Sequence, residues 1–238
     1  MRRRAEGGRG VTGEPSLSII IPVLDEAATI VAALQAVAPL RARGTEVVVV
    51  DGGSADGTAA LAAPLADRVI ASARGRAMQM NAGAAVARGD VLMFLHADTR
   101  LPADADRLIR DGLARSRRGW GRFDVAIAGT HRLLPFVAAS MNTRSRLTGI
   151  TTGDQAMFST RDAFATAGGF PAIALMEDIE LARRLKRVSP PLCLRARVTT
   201  SGRRWERRGV ARTILLMWRL RLAYYFGASP EDLARRYQ

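Results

Sequence analysis

Continuous apolar runs, rather than alternating ones, mark the first hundred residues. Leu17–Leu24, Val47–Val50 and Val91–Leu95 are dominated by Leu, Ile and Val. A strand that is apolar on both faces is covered on both faces, which is the habit of a parallel sheet. Helical patterns lie between the runs. The pattern predicts strands at Leu17–Leu24, Glu46–Asp51, Arg68–Ala71 and Asp90–Asp98. It predicts helices at Glu26–Val37 and Met78–Ala87, and another opening at Ser54, with Ser54 as its cap. Such alternation calls for right-handed βαβ units. The second half is less regular. Helices are expected at Pro102–Arg115 and Asp178–Val188, and strands at Phe123–Ala128, Ala156–Ser159 and Leu192–Val198. The expected fold class is α/β, with a mostly parallel central sheet flanked by helices.

Val210–Phe226 is different. It is apolar but interrupted by Arg212, Arg219 and Arg221, and it carries Trp218, Tyr224 and Tyr225. It is too charged to span a bilayer. It suits a helix lying at headgroup level, or one packed on the core or on a second copy. Arg208, Arg212 and Arg219 are spaced to share one helical face.

Composition narrows this picture. The chain has 238 residues, 48% of them hydrophobic, enough for a real core. No internal repeat or low-complexity linker divides it. The single Cys193 excludes an internal disulfide framework; it reads as a small core residue in a reducing compartment, hence a cytoplasmic protein. The net charge is +14, and residues 183–238 hold fifteen basic residues against three acids, a local +12. Arginine forks suit phosphate, so a nucleotide diphosphate, an anionic membrane or a nucleic acid are the partner classes. The opening Met1-Arg2-Arg3-Arg4 has no apolar segment behind it, unlike a secretory signal. Residues 1–16 are expected to be a disordered basic tail, 17–208 one unit, and 209–238 a helical extension.

The chemistry is carried by acids that end apolar runs. Asp51 and Asp98 each close such a run, which would put them at the carboxyl edge of the sheet where open α/β sheets bind ligands. Gly52-Gly53 after Asp51 lets backbone approach a ligand. An acid at that edge accepts hydrogen bonds from a ribose or a base, or caps the next helix. Arg74 and Arg76 precede a helix containing Asn81-Ala82-Gly83, an arrangement that can hold an anion. Asp98 can ligate a hard cation bridging two phosphates, with His96 on the same strand face. Glu177-Asp178 opens a helix; it is a general base for an acceptor hydroxyl, or simply a pair of acids favoured by the dipole. The Gly-x-Gly-x-x-Gly fingerprint and the Gly-x-x-x-x-Gly-Lys loop are absent, which disfavours a dinucleotide dehydrogenase and a P-loop NTPase.

The ordered set Leu17–Leu24, Asp25-Glu26, Val50-Asp51-Gly52-Gly53-Ser54-Ala55-Asp56-Gly57-Thr58, Asn81-Ala82-Gly83, Leu95-His96-Ala97-Asp98 and Glu177-Asp178 resembles glycosyltransferase family 2, from about residue 17 to 208. Gly153-Asp154-Gln155 and Arg203-Arg204-Trp205-Glu206-Arg207-Arg208-Gly209 resemble a small bacterial branch, the radical-SAM/selenodomain-associated transferases. The resemblance implies a GT-A fold, with a Rossmann-like nucleotide-binding half (17–100), an acceptor half (101–208) and a C-terminal amphipathic helix. It implies a nucleotide-diphosphate sugar as donor, UDP-linked ahead of GDP-linked, and a divalent metal, Mg2+ or Mn2+. Pro22, Glu26 and Asp51 would hold the base and ribose. Gly53, Arg74, Arg76, Asn81, Gly83, Ala97, Arg204 and Trp205 complete the donor side. Asp98, with His96, would hold the metal, Asp178 with Glu177 would be catalytic, and Gly153, Asp154 and Gln155 would lie on the acceptor side.

Three positions depart from the family pattern. Asp25 stands for Asn, His96 for the first metal-motif Asp, and Ser201 for Gln. With no membrane pore, the chain reads as a non-processive, inverting glycosyltransferase. Its acceptor could be lipid-linked at an anionic membrane surface, with a homodimer as the rival use of the C-terminal helix and no specific nucleic acid as partner. The alternatives are a sugar-nucleotide pyrophosphorylase, whose Gly-rich first loop is here Pro22-Val23-Leu24-Asp25-Glu26, and an inactive basic membrane or nucleic-acid adaptor on a transferase fold.

Overall fold

Strand β1 (Leu17–Val23) is the axis of the first half. It pairs in parallel with β2 (Glu46–Asp51) on one side and β4 (Val91–Phe94) on the other, and β2 pairs in parallel with β3 (Arg68–Ala71). The chain crosses between them through α1 (Ala27–Ala42), α2 (Thr58–Ala62) and α3 (Arg76–Val86). The computed structural model describes residues 15–237, without the side chains of Arg204, Arg207, Arg208 and Tyr237; residues 1–14 of the expected tail lie outside the described residues.

The apolar runs sort themselves by alternation. Ile19, Ile21, Val47, Val49, Val91 and Met93 face Ile30, Leu34, Val37 and Leu40 of α1. Ile20, Val48, Val50, Leu92 and Phe94 face the other way, onto Met80 and Ala84 of α3. Both faces are therefore covered, as a parallel sheet requires. Gly83 makes the second contact close: a Cβ there would lie inside 3.0 Å of Ile20 and Val50 side chains.

After a two-residue β5 (Thr99–Arg100) and α4 (Ala105–Ser116), the sheet changes character. β6 (Trp120–Ala128) and β7 (Phe158–Thr160) pair antiparallel, and β7 joins them to β4. β8 (Leu192–Ser201) runs parallel to β6 and antiparallel to β5. The eight strands stand in the order β3-β2-β1-β4-β7-β6-β8-β5, a mixed sheet whose first half is wholly parallel. Around the second half lie α5 (Leu134–Thr148), α6 (Arg161–Thr166) and α7 (Glu177–Val188), followed by α8 (Arg203–Arg208), α9 (Val210–Tyr225) and α10 (Pro230–Tyr237). The inner side of α9 packs Leu220 against Met176 and Ile179 at the head of α7. Among the described residues, no helix is long and apolar enough to cross a membrane.

Several expectations need correction. The last strand of the parallel set stops at Phe94, and Asp98 lies in a turn closed by the Thr99 amide on the His96 carbonyl, 3.0 Å. Ser54 does not cap α2; Gly57, in the left-handed region, holds that position, and Ser54 is engaged with Asp51 and Asp25 instead. Arg208 is not on the same helix as Arg212 and Arg219, because Gly209 (φ 81°) separates α8 from α9. Its side chain lies outside the described residues. Cys193 is half-buried on β8 rather than in the core.

Candidate active site

A cleft of about 460 Å³ opens beyond the carboxyl ends of β1 and β4. Glu26, His96 and Asp98 reach it from the loops after those strands, and Arg76 from the head of α3. Thr152, Gly153 and Asp154 form its floor, with Glu177 and Asp178 beside them. Thr200, Ser201, Arg203 and Trp205 follow from the end of β8 and α8, and Thr213, Met217, Leu220 and Arg221 close it from α9. Nine expected site residues from distant parts of the chain thus meet: Glu26, Arg76, His96, Asp98, Gly153, Asp154, Glu177, Asp178 and Trp205.

The loop after β1 is braced by the loop after β2. The amides of Asp25, Glu26 and Ala27 donate to Ser54, Thr58 and Asp56 side chains at 2.8–2.9 Å. Asp25 takes a left-handed backbone (φ 52°) and accepts the Ala55 amide at 2.9 Å. A short polar side chain that bonds locally tolerates that conformation, so Asp serves at this position as Asn would. Asp51 is buried, and its carboxylate accepts the Ser54 amide and hydroxyl. Its observed work is to shape this loop. Below it, the buried Gln79 donates to the Val23 and Val50 carbonyls at 2.7 and 2.9 Å, tying the ends of β1 and β2 together. Sequence reasoning missed Gln79; its place one turn into α3 is the only signal.

Glu177 and Asp178 open α7 behind Met176, whose φ is 71°. A left-handed backbone on a bulky residue costs on the order of 1–3 kcal/mol and is held here by the packing of Met176 under α9. The strained turn aims both acids at the cleft. The Asp178 carboxylate accepts the Ile179 amide at 2.7 Å and the Gly153 amide at 2.8 Å, and a carboxylate still has lone pairs left for a substrate. Glu177 is buried, and burial pushes its carboxyl above the usual range. The neighbouring Asp178 adds to that rise, and Arg76, 3.8 Å away, opposes it.

Gly153, Asp154 and Gln155 make one device. Gly153 lies under the His96 ring so closely that a Cβ would sit within 3.0 Å of it. Asp154 approaches His96 Nδ1 at 3.6 Å. Gln155 is buried; its side-chain oxygen accepts the Thr152 amide at 3.4 Å and the Thr151 hydroxyl at 3.2 Å, and its backbone amide donates to the Thr152 carbonyl at 2.9 Å, which fixes the turn.

Two arginines complete the acidic end. Arg221 lines the cleft, and burial lowers its affinity for its proton while Asp178 and Asp154 pull the other way. Arg144, on α5, is pushed down to about 10, first by burial and then by Arg221, with Asp178 opposing. Neither was among the expected site residues. An arginine inside an apolar helical run was the available signal for Arg221.

The metal expectation can be tested on the donor set. Among the described residues, no group of three His, Cys, Asp or Glu could hold an ion by itself. Asp98 is an exposed carboxylate with His96 near it on the cleft wall. Mg2+ and Mn2+ prefer oxygen, and Mg2+ is commonly held by one or two carboxylates plus substrate phosphates rather than by an all-protein cage. One open carboxylate fits an ion that arrives with a diphosphate.

Other expected residues stand elsewhere. Asn81 spends its side chain on Phe170, donating to its carbonyl at 2.8 Å and accepting its amide at 3.0 Å, and Gly83 is the helix–sheet contact described above. Ala97 packs on the core, and Pro22, Gly53 and Arg74 lie outside the cleft wall. The Arg204 side chain lies outside the described residues.

Residues 18–159 match the family described as Glycosyl transferase family 2. No curated protein matches the chain. Among solved structures, it is similar to a mannosyltransferase from Pyrobaculum calidifontis in complex with GDP-Man and Mn2+. That likeness has a TM-score of 0.63 and 24% identity over 89% of this chain and 62% of the other. It is similar to glucosyl-3-phosphoglycerate synthase from Mycobacterium tuberculosis, in complex with Mn2+, UDP and glucosyl-3-phosphoglycerate. There the TM-score is 0.57 and identity 17%, over 78% of this chain and 71% of the other. It is also similar to S. aureus TarS residues 1–349 in complex with UDP-GlcNAc, with a TM-score of 0.63 and 15% identity over 78% and 58% of the two chains. The chain thus spans about three-fifths of the mannosyltransferase and TarS chains, and at these identities the likeness is one of fold: mixed α/β, of the GT-A type.

Proposed function

This chain belongs to glycosyl transferase family 2, and from that premise we propose that it moves a sugar from a nucleotide-diphosphate sugar to an acceptor hydroxyl, with inversion and without processive synthesis. The observation that carries this reading is the meeting of Asp98 and Asp178 in one cleft from sequence positions eighty residues apart. Asp178 takes the acceptor proton as the hydroxyl oxygen bonds to the anomeric carbon. The bond from that carbon to the diphosphate oxygen breaks in the same displacement, and the nucleoside diphosphate leaves. Gly153 and Ile179 amides orient the Asp178 carboxylate for this role. Arg76 and Arg203, on the cleft wall, would stabilise the charge that develops on the leaving group. Asp98, with His96, would hold a divalent ion, which when bound supplies Lewis-acid stabilisation of the diphosphate. Glu26, on the cleft wall, would contact the nucleoside, and a UDP-sugar is the first donor to test.

The reading extends to location. Leu215, Trp218, Leu222 and Tyr225 succeed one another at helical spacing on the outer face of α9, and Trp218 and Tyr225 are 72% and 73% exposed. Arg212 and Arg219 are exposed on the same helix, which contains no acid. An apolar stripe with cations favours an anionic bilayer, where each basic residue adds about 1 kcal/mol. A two-fold homodimer through this stripe would bring arginines close to their own copies. We therefore read α9 as a peripheral anchor on the inner face of the cell membrane, with a lipid-linked acceptor.

The test of the activity is nucleoside diphosphate release from a panel of UDP- and GDP-sugars with Mn2+ and extracted membrane lipid. Release by the wild type that disappears in Asp178→Asn is expected. Equal release by both proteins would refute the assignment of the base.

A further inference from the structure

The cleft holds more cationic charge at its acidic end than donor chemistry uses. Arg221 enters from α9 beside Asp178 and makes no hydrogen bond or ion pair to a described residue. Behind it, Arg144 has Nε and Nη2 shut away from solvent, and neither has a hydrogen-bond partner among the described residues. The two arginines repel each other and both are drawn toward Asp178, whose carboxylate already accepts two backbone amides.

Buried guanidinium nitrogens without a hydrogen-bond partner, as in Arg144, are costly, and the half-buried guanidinium of Arg221 near them adds to the cost. Packing alone gives no reason for the pair. Leu220, next to Arg221 on α9, and Val137, two turns before Arg144 on α5, supply buried apolar contacts of those helices. Such strain at a cleft is relieved by a ligand of opposite charge, and the planar fork of arginine fits phosphate or carboxylate oxygens. The donor diphosphate has other cations, Arg76 and Arg203, on the wall with Asp98 and His96.

We propose that Arg221, backed by Arg144, forms a subsite for an anionic group on the acceptor, a phosphate monoester or carboxylate, next to the hydroxyl that Asp178 deprotonates. The proposal rests on the transferase reading given above. It specifies what that reading left open: the acceptor is an anion. A soluble phosphate monoester and a lipid phosphate share the chemistry.

Calorimetry with inorganic phosphate tests it on protein already saturated with UDP and Mn2+, so that the donor site is filled. The wild type is expected to bind phosphate in that state. Arg221→Gln should weaken phosphate about tenfold or more while UDP affinity stays within about twofold. Glycerol phosphate in solution, and vesicles containing phosphatidic acid, present the same group in its two forms; the form whose binding falls in the variant identifies the source. Phosphate binding that is blocked by UDP would overturn the proposal and assign the arginines to the donor diphosphate. Unchanged phosphate affinity in Arg221→Gln would overturn it too. No binding of UDP or GDP to the wild type would instead overturn the transferase reading beneath it. A second measurement concerns Arg144. Arg144→Met removes a buried charge at similar volume, so it should melt higher than wild type without ligand and lose the melting shift that phosphate gives. A lower melting temperature would make Arg144 a structural tie and refute its place in the subsite.

Discussion

Replacing Gly153 with alanine isolates one contact at the centre of the site. Gly153 is not in the left-handed region, so its backbone accepts alanine. The added Cβ would lie within 3.0 Å of the His96 ring, where an ordinary contact begins at 3.4 Å. Either the ring moves, giving up its 3.6 Å approach to Asp154, or the turn moves, pulling the Gly153 amide from Asp178 at 2.8 Å. Crowding of this kind costs about 1–3 kcal/mol. A lost hydrogen bond to a charged group costs about 1.5–3 kcal/mol. If the second cost falls on the transition state, kcat/KM drops by about 10- to 150-fold, since each 1.36 kcal/mol is a factor of ten. The first falls on stability, at roughly 2–4 °C of Tm per kcal/mol for a chain of this size. Steady-state kinetics, UDP calorimetry and a thermal melt separate the two. UDP affinity should hold if the turn moves, because Asp98, His96 and Glu26 are then untouched, and should fall if the His96 ring moves. Normal kcat/KM with a normal Tm would show that His96 moves freely and that Gly153 positions nothing.

Asp178→Asn should keep UDP binding and lose transfer by about a hundredfold to ten-thousandfold, as expected for a general base; turnover within threefold of wild type refutes that role. Burial raises the Glu177 carboxyl, so the folded state binds that proton more tightly than the unfolded chain. Its contribution to stability is complete below the ordinary value of 4.5 and is lost as pH rises through the folded value. Glu177→Gln should therefore gain Tm over wild type at pH 7 and little at pH 4; an equal gain at both would contradict the burial argument. Trp218→Asp with Leu222→Asp should abolish co-sedimentation with anionic liposomes at low salt without changing the melt, and unaltered sedimentation refutes the anchor. Loss of a dimer in that variant would favour self-association instead.

The parallel half of the fold was legible because three of its strands, β1, β2 and β4, are apolar on both faces. Strand bounds failed where apolarity outlasts the ladder: Leu95 is buried, although the strand ends at Phe94. α5 escaped because its buried Leu134, Val137 and Ala138 are interleaved with exposed Phe136 and Leu147, so no clean stripe appears. Ser54 has capping chemistry, but a loop 29 residues upstream competes for it. The acids of the site could be read as chain punctuation, whereas Arg221 could not. Its inward direction depends on the rotation of α9, set by Leu220 against Met176 and Ile179. Asn81 and Gly83 show the converse: family positions whose observed contacts are structural.

The central claim is a nucleotide-diphosphate site built on Asp98. Titrating UDP and GDP into wild type and Asp98→Ala, with and without Mn2+, tests it most directly. The account predicts Mn2+-dependent binding of one nucleotide to the wild type, absent in Asp98→Ala, which keeps its melting temperature. Binding that is equal in the two proteins, or indifferent to Mn2+, would contradict it.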